Sequence, residues 1–513
     1  MASFAATENA TVHRTAYKLG VAATQQFEDA RTFISQWIGS ASSKQIVFTK
    51  GATEALNLIA HGLVTTDCLN GSEILICATE HHANLLPWQR FAAARNMTIR
   101  VMPVDKGGRL EVDQALGMIN ANTALIAMAH VSNALGNCYP IETFITKAKQ
   151  HDCLSVIDGT QAVAHMPVDV ESLGCDFYVF SGHKMFGPNG VGVLYGRFAL
   201  LDVMQAYQVG GEMVKHADFH NATFMPPPIK FEAGTPNVPG VIALGRAATY
   251  IQQHQTSFIE HERQLAEQLF GSLSKIHGLK MYGDFAVGKS TLPIVSLNVA
   301  GIHHHDLALM LDAHGVAVRS GHHCAMPLMH HLGLDGTLRI SLSVYNTLAD
   351  IEVLVSAILA CIEQAKQHPE TTPKANVVAH NEASSESLPL AAAIQAAKGW
   401  DNVYRQLMLA GKHMPVLDEA QRTAENQVEG CEAAVWLGAM ATDTQSRQFI
   451  AYSPSKIVRG LLAVILEKAN SLEKTQQSQF DYLDYLHNIG LHRFLSESRQ
   501  NGTRAVVERV KSY

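Results

Sequence analysis

The sequence reads FYVFSGHKMFGPN from Phe177 to Asn189, a short apolar run followed by polar residues and a Gly-Pro turn. The apolar run predicts a buried strand, which would carry Lys184 to a strand end, where α/β proteins bind their ligands. A lysine beside a turn is ordinarily a solvated surface residue. The role of Lys184 therefore depends on the segments that surround this strand.

Short apolar runs alternate with helical patterns between about residue 20 and residue 245. This alternation is typical of βαβ units on a mostly parallel sheet. A second block, about residues 246–366, has the pattern of a smaller α+β domain. We therefore predict an α/β fold over residues 1–366, with a large domain at about 20–245 and a small one at about 246–366. The predicted elements are strands at Gln45–Phe48, Glu73–Ala78, Thr98–Pro103, Thr123–Ala129, Leu154–Asp158 and Thr291–Val299, and helices at Phe258–His277, Asp306–His314 and Ala349–Lys366.

Residues 367–387 are rich in Pro, Ser, Thr and Glu and predict a flexible linker. Residues 388–513 form a third block that is long enough for a core of its own. Its central segment, Gly430–Ile450, lies between predicted helices at Leu388–Lys398, Trp400–Met408, Ser455–Ala469, Phe480–Leu486 and Gly502–Val510. We expect an additional α+β domain here.

Charge, apolar runs and cysteine usage exclude several classes of protein for this chain. The net charge of −7, without a basic stripe, argues against a nucleic-acid partner. The sequence has no run of 18 apolar residues and no apolar segment near its start, so neither a membrane helix nor a signal peptide is predicted. The eight Cys are scattered singly, which indicates free thiols in a reducing compartment. We therefore expect a cytoplasmic protein.

Polar residues that suit an aldehyde cofactor follow several predicted strands. Lysine can form a Schiff base with pyridoxal phosphate, whose ring nitrogen needs a carboxylate to stay protonated. Asp158 closes a strand and fits that need, with Gln161 placed to bond the ring oxygen. His81 offers a flat partner for the ring, and Asn133 places an amide at a strand end. A histidine in such a position can equally be a structural residue.

The phosphate of such a cofactor needs backbone N–H groups at a helix start and a hydroxyl. The segment from Thr49 to Ala55 supplies a strand end, Gly51, Thr53 and then a helix. An ordinary capped turn between a strand and a helix has the same composition, so this segment alone leaves both readings open.

The order of these segments resembles the class V aminotransferase family, and more narrowly its cysteine desulfurase branch, a fold-type I pyridoxal phosphate enzyme. The resemblance lies in TEHHAN (79–84), HVSNALG (130–136), VIDGTQAVAH (156–165) and FSGHKMFGPNGVGVLY (180–195). It implies that pyridoxal phosphate is held by Ala52, Thr53, His81, Asn133, Asp158, Gln161, Ser181, His183 and Lys184. FEAGTP (231–236) resembles the loop whose threonine, here Thr235, reaches the phosphate of a neighbouring subunit, which implies a homodimer.

RSGHHCAMP (319–327) resembles the active-site loop of group II cysteine desulfurases, the SufS/CsdA kind. Cys324 would then attack the substrate sulfur, with neighbouring positive charges favouring its thiolate. A buried free cysteine, or a metal ligand beside His322 and His323, is the alternative for Cys324. Arg339 ends a strand and resembles the family's clamp for the substrate carboxylate, with Asn133 as a second substrate contact.

The third block resembles the SufE family of sulfur acceptors, its CsdE branch most closely. The matching segments are WDNVY (400–404), NQVEGCEAAVW (426–436) and SKIVRGLLAV (455–464). The resemblance makes Cys431 the residue that takes up a sulfur atom and passes it on, with Asn426 and Arg459 as supports of its loop.

Together these resemblances imply conversion of L-cysteine to L-alanine with a persulfide on Cys324, followed by sulfur transfer to Cys431. Lys184 and His81 would move protons. A further protein, an iron–sulfur scaffold or a sulfur carrier, would receive the sulfur. Selenocysteine lyase or cysteine sulfinate activity, and an inactive scaffold that presents the acceptor domain, remain alternatives. The family normally begins with a YLDNAAT-like strand, and this sequence starts near the stretch after it, at Thr11–Arg14, so we expect a shortened N-terminus with lowered stability or activity.

Overall fold

The computed structural model describes residues 1–13, 16–285, 291–367, 388–397, 400–412, 414–431, 433–441, 447–491 and 497–513. Five positions or segments used in the sequence analysis lie outside these residues: Arg14, the predicted linker beyond Gln367, Lys398, Glu432 and residues 442–446 of the segment Gly430–Ile450. Within the described part, no helix is long and apolar enough to span a membrane.

The first part of the chain alternates strands and helices, as its sequence predicts. In chain order the elements are α1 (Ala2–Thr7), α2 (Lys18–Trp37), β1 (Ile46–Thr49), α3 (Ala52–Leu63), β2 (Glu73–Cys77), α4 (Leu86–Arg95), β3 (Thr98–Met102), α5 (Val112–Gly117), β4 (Thr123–Ala129), α6 (Ile141–Lys149), β5 (Leu154–Asp158), α7 (Val170–Leu173), β6 (Phe177–Ser181), β7 (Gly192–Gly196), α8 (Phe198–Val203), β8 (Val214–Ala217), β9 (Ala222–Phe224) and α9 (Val238–Leu273).

Seven of these strands form one sheet in the order β1-β7-β6-β5-β4-β2-β3. The neighbours from β6 to β3 pair in parallel, whereas β7 runs antiparallel to both β6 and β1. Consecutive residues of β5 and β6 belong to different apolar clusters: Ile157, Tyr178 and Phe180 to one, Val156 and Val179 to the other. Because side chains alternate along a strand, the two clusters cover opposite faces of the sheet. Because β4, β5 and β6 run parallel to one another, their carboxyl ends meet at one edge of the sheet.

The next part contains a four-stranded antiparallel sheet in the order β10-β11-β13-β12. Its elements are β10 (Leu279–Tyr282), β11 (Ile294–Val299), α10 (His304–Ala313), β12 (Arg319–Gly321), α11 (Met326–His331), β13 (Thr337–Ser341) and α12 (Leu348–Gln367). Its apolar core combines residues of this sheet with the second half of α9 and with α10 and α12.

The last part packs a β-hairpin and several helices around a third core. Its elements are α13 (Pro389–Ala396), α14 (Trp400–Ala410), β14 (Trp436–Ala441), β15 (Arg447–Tyr452), α15 (Lys456–Asn470), α16 (Lys474–Gln479), α17 (Tyr482–Asn488) and α18 (Glu497–Ser512). The helix α15 supplies the largest share of this core, including Leu461, Leu462 and Ile465.

Several predicted boundaries differ from the structure: the helix predicted at Gly502–Val510 begins at Glu497, and the strand predicted at Thr291–Val299 begins at Ile294. The helix predicted at Phe258–His277 is α9, which begins at Val238, about five and a half turns earlier. Its start carries Pro239 in the first turn, where a missing N–H costs nothing, and the side chain of Asn237 accepts a hydrogen bond from Gly240 N–H. The predicted boundary between the large and the small domain, near residue 245, thus falls inside one continuous helix. The helix predicted at Phe480–Leu486 begins two residues later, at Tyr482, after a separate short helix, α16.

Candidate active site

Lys184 and Asp158 lie at the ends of two neighbouring strands. Asp158 is the last residue of β5 and pairs in register with Val179 of β6. The chain leaves β6 through the short 3-10 turn Gly182–Lys184, which places a half-buried Lys184 beyond the same sheet edge. The predicted position of the lysine at a strand end is confirmed.

Several charged groups act on Lys184. Burial lowers the pKa of its amine, and the nearby positive groups Arg339 and Arg319 lower it further. The carboxylate of Asp158 and the thiol of Cys324 act in the opposite direction. These residues come from β5, β12, β13 and the loop after β12, so both sheets contribute to one site.

The turn after β5 holds polar atoms that can form further hydrogen bonds. Asp158 is 8% exposed, and its carboxylate accepts a hydrogen bond of 3.0 Å from Thr160 N–H. The hydroxyl of Thr160 is buried and has no hydrogen-bond partner among the described residues. Gln161, half-buried, follows in the same turn. Buried polar atoms without protein partners are rare and indicate a ligand position.

The first turn of α3 meets the strand end of β6. The N–H of Ala52 donates to the hydroxyl of Ser181 at 2.8 Å, so this serine closes a turn where residue 52 has no hydroxyl of its own. Thr53 is exposed in the same first turn, and His183 is exposed beside Lys184. The N–H groups at a helix start carry a partial positive charge, which favours an anion here.

His81 is positioned by the backbone that follows it. Its Nδ1 accepts a hydrogen bond of 3.0 Å from Ala83 N–H, which leaves the ring hydrogen on Nε2. Burial, with the charge of Lys184, lowers the pKa of His81 to about 4. The ring is therefore neutral near pH 7 and presents one N–H donor.

Asn133 links the loop of Cys324 to Arg339. Its side-chain amide donates to the carbonyl of His323 at 2.7 Å, and its own carbonyl accepts from Arg339 Nη1 at 2.8 Å. The Nε of Arg339 is buried and has no hydrogen-bond partner among the described residues. Burial, with the charge of Arg319 directly across the strand pair, lowers the pKa of Arg339 to about 10. A buried guanidinium with a spare donor is suited to bind a carboxylate.

Cys324 lies in a tight loop that the first sheet region holds in place. His323 and Cys324 both have left-handed backbone angles, with φ of 54° and 59°. His82 N–H donates to the carbonyl of Cys324 at 2.7 Å, and His82 Nε2 accepts from Met326 N–H at 3.2 Å. Arg319 Nη2 lies 3.3 Å from the sulfur of the half-buried Cys324. The positive guanidinium stabilises an anionic sulfur in a loop with little freedom to move.

Cys431 lies elsewhere, in the third part of the chain. Its sulfur is 3.6 Å from the carbonyl of Gly502, and burial raises the pKa of its thiol to about 11. It faces a cavity of about 40 Å³. Of the predicted supports of its loop, Asn426 accepts a backbone hydrogen bond of 2.8 Å from Leu437 N–H and its side chain donates to Gln421, and Arg459 donates to the carbonyl of Ser453.

Two contributions were missed in the sequence. His82 holds the Cys324 loop, but the pair His81-His82 has no local feature that separates their roles. Thr160 has no predicted role, because the sequence argument uses only its neighbours Asp158 and Gln161. Thr235 is exposed, three residues beyond Glu232, which is tied to Arg31 by an ion pair of 2.6 Å. Among the described residues, no group of three or more His, Cys, Asp or Glu is arranged to hold a metal ion.

Known proteins resemble two separate parts of the chain. Residues 1–354 match the aminotransferase class-V family, and residues 389–513 match the SufE family, described as an Fe-S metabolism associated domain. A probable cysteine desulfurase of Pseudomonas putida is 44% identical over 68% of this chain and 86% of its own length. A cysteine desulfurase of Yersinia pseudotuberculosis is 41% identical over 68% of this chain and 86% of its own length.

Solved structures agree with these sequence matches. The apo cysteine desulfurase of Thermococcus onnurineus superposes with a TM-score of 0.68 at 36% identity, covering 71% of this chain and 90% of that one. The cysteine desulfurase CsdA of Escherichia coli superposes with a TM-score of 0.64 at 34% identity, with the same coverage of both chains. These matches confirm the predicted α/β fold of the first part.

Proposed function

The chain belongs to the class-V aminotransferase family and ends in a SufE-type domain, and from this premise we propose a cysteine desulfurase that passes sulfur to its own acceptor domain. The observation that carries the proposal is the convergence of Lys184, Asp158, Arg339 and Cys324, which act electrostatically on one another at one sheet edge. The relatives named cysteine desulfurases favour this activity over the alternatives of selenocysteine lyase and inactive scaffold.

The residues at this edge fit pyridoxal phosphate. The start of α3, with Ser181 and Thr53, would hold the phosphate, and the orphaned hydroxyl of Thr160 adds a donor in the turn after β5. Asp158 would pair with the ring nitrogen and the neutral His81 would cover the ring face. When bound at Lys184, the cofactor supplies an electron sink for the α-carbon of an amino acid. Ala52, Asn133, Gln161, His183 and the partner's Thr235 complete the proposed set.

The protein's own groups then bind and orient the substrate. Arg339 holds the carboxylate of L-cysteine with its spare donors, and Asn133 fixes Arg339 from behind. Lys184 moves the α-proton, because the lowered pKa of its amine makes the neutral base accessible. His81 donates from Nε2 without carrying a charge of its own.

Cys324 performs the sulfur step. Its thiolate attacks the sulfur of the substrate, a new S–S bond forms, and the substrate C–S bond breaks. The carbon skeleton takes up a proton and leaves as L-alanine, so L-cysteine and the Cys324 thiol become L-alanine and a Cys324 persulfide. Arg319 stabilises the thiolate before the attack.

Cys431 then receives the outer sulfur. Its thiolate attacks the sulfane sulfur of the Cys324 persulfide, and Cys324 leaves as a thiolate. The acceptor domain can then hand the sulfur to a further protein, an iron–sulfur scaffold or a sulfur carrier. We also propose a homodimer, because the exposed Thr235 lies beyond a loop that Glu232 anchors to its own subunit.

The proposal is tested on the full chain with labelled L-cysteine. Lys184→Ala should lose the cofactor's visible absorbance band and alanine formation. Cys324→Ser should keep the band but leave Cys431 without label. Cys431→Ser should still form one alanine per chain and load Cys324 alone. Cys68→Ser, away from both sites, is the matched control and should behave like the parent chain. Label on Cys431 in Cys324→Ser would contradict the proposed order of transfer.

A further inference from the structure

The start of α10 carries the run His303-His304-His305-Asp306, which the proposed reaction does not use. Charged and polar residues at a helix start are ordinarily exposed. Here His304, His305 and Asp306 are only 5%, 5% and 4% exposed. The groups that cover them belong in part to the acceptor domain, more than a hundred residues further along the chain.

Asp306 binds the start of α15 with both carboxylate oxygens. The hydroxyl of Ser455 donates to Oδ1 at 2.8 Å, and Lys456 N–H donates to Oδ2 at 2.9 Å. The same hydroxyl of Ser455 accepts from Val458 N–H at 3.3 Å and so caps α15. A carboxylate at a helix start is favoured by the helix dipole and by charge-assisted hydrogen bonds. Asp306 therefore acts as part of the cap of a helix in another domain.

The neighbours of Asp306 on the same helix face make the apolar part of this contact. Leu309, one turn further on, packs against the acceptor core. His305 lines the cavity of Cys431, whose remaining walls come from the acceptor domain: Ala433, Val435, Val458, Leu461, Leu462, Ile465, Gly502, Thr503 and Val506. Separation of the two domains would remove one wall and open this cavity to solvent.

The contact also reaches the strand beside the Cys324 loop. His305 Nδ1 lies 2.8 Å from the hydroxyl of Ser320, and the preceding residue, Arg319, contacts the sulfur of Cys324. Adjacent residues of a strand point to opposite faces. Arg319 and Ser320 thus place Cys324 and the cavity of Cys431 on opposite sides of β12.

We propose that the first turn of α10 is a docking site for the acceptor domain of the same chain, and that docking closes the cavity around Cys431 behind β12. In this docked arrangement the acceptor thiol is half-buried, and thus partly shielded, and is separated from Cys324. Sulfur transfer therefore requires the contact between Asp306 and Ser455 to open. The role of Cys431 in this inference rests on the proposed function, whereas the docking contact itself does not.

Disulfide trapping tests the contact without any measurement of activity. In a Cys324→Ser background, His305→Cys should form a disulfide with Cys431 under a mild oxidant, seen as a linked pair of peptides after digestion, and the protein should run at the mass of one chain on a non-reducing gel. Asp312→Cys is the matched control, because Asp312 is exposed on the same helix and should not cross-link. Equal yields for both variants, no cross-link, or a cross-link at twice the mass would overturn docking within one chain.

Alkylation of Cys431 tests what docking does. With Cys324→Ser, removal of one side of the contact by Asp306→Ala or by Ser455→Ala should speed alkylation about tenfold, the effect of losing roughly one charge-assisted hydrogen bond. Asp312→Ala should alkylate at the parent rate. With Cys324 intact, both interface variants should load Cys431 as fast as the parent chain or faster. Slower loading, or unchanged alkylation in both variants, would overturn the proposed shielding.

Discussion

At the scale of single residues, the site depends on two positive charges placed close together, on the exposed Arg319 and the half-buried Arg339. Arg319 and Arg339 face each other across β12 and β13, although like charges repel. Two anions offset this arrangement in the proposed reaction: the sulfur of Cys324 and the substrate carboxylate. Among the described residues, neither guanidinium group forms an ion pair with a carboxylate, which suits the pair to bind an anionic substrate.

Arg339→Lys tests the carboxylate clamp. We expect the KM for L-cysteine to rise about tenfold or more, because lysine retains the charge but loses the planar pair of donors. Burial lowers the pKa of Arg339 to about 10, and an amine in the same place would lose its proton at still lower pH, so the KM of the variant should rise further with pH. Arg100→Lys, which retains a cation beside Glu73 at the edge strand β3, is the control. An unchanged KM would remove Arg339 from substrate binding.

Most polar residues around Lys184 could be found in the sequence because they lie at or shortly after the end of a buried strand. Arg339, predicted to end a strand, instead lies in the middle of β13. Asp158 and Lys184 lie at the ends of β5 and β6, where parallel strands collect their ligands. The contact between Asp306 and Ser455 could not be found in this way. Its partners lie in different blocks, and neither has a local pattern that names the other.

At the scale of elements, the close approach of β7 to the start of α3 positions the proposed phosphate site. Gly192 pairs with Ser181 on one side and with Thr49 on the other. A Cβ at Gly192 would lie 2.5 Å from the Cα of Gly51 and 2.8 Å from the carbonyl of Phe180. Because both neighbours are backbone atoms, they cannot rotate away.

Gly192→Ala should therefore shift the start of α3 and weaken the binding of pyridoxal phosphate, with a loss of stability of about 1–3 kcal/mol. Titration of the apoprotein with the cofactor, followed by absorbance, measures the affinity, and urea unfolding measures the stability. Gly117→Ala is the control, since an added Cβ there meets no atom within 4 Å. Equal cofactor affinity in the two variants would show that the contact of Gly192 with the start of α3 does not shape the proposed phosphate site.

The strands were more predictable than the start of α9 for a physical reason. A buried parallel strand is an apolar run between turn residues, whereas the first turns of α9 contain Pro239, Gly240 and Gly245, which have low helix propensity. Tertiary packing overrides that propensity: Val241, Leu244 and Ile251 are buried in the core of the large sheet. The antiparallel direction of β7 had no signal in the sequence either.

At the scale of the whole molecule, several histidines are buried in the neutral state. Burial lowers the pKa to about 4 for His81 and His130, to about 3 for His323 and to about 2 for His304. In the unfolded chain each would bind a proton near pH 6.5. The unfolded state therefore takes up more protons on acidification, and stability falls.

We expect the free energy of unfolding to decrease from about pH 6.5 down to about pH 4, with up to about 1.4 kcal/mol per pH unit for each histidine. Glu80, whose pKa burial raises to about 8, opposes this trend by one proton. Urea unfolding at a series of pH values and constant ionic strength measures the slope. A constant midpoint across this range would show that these rings are protonated in the folded protein.

The helix α9 belongs to two cores at once. Its first half, with Leu244 and Ile251, completes the core of the large sheet, and its second half, with Leu265 and Leu269, completes that of the small one. An exchange of either half between related genes would have to cut through this helix and match new partners on both sides. In evolutionary terms, we therefore expect the two halves of the enzyme to be exchanged only together.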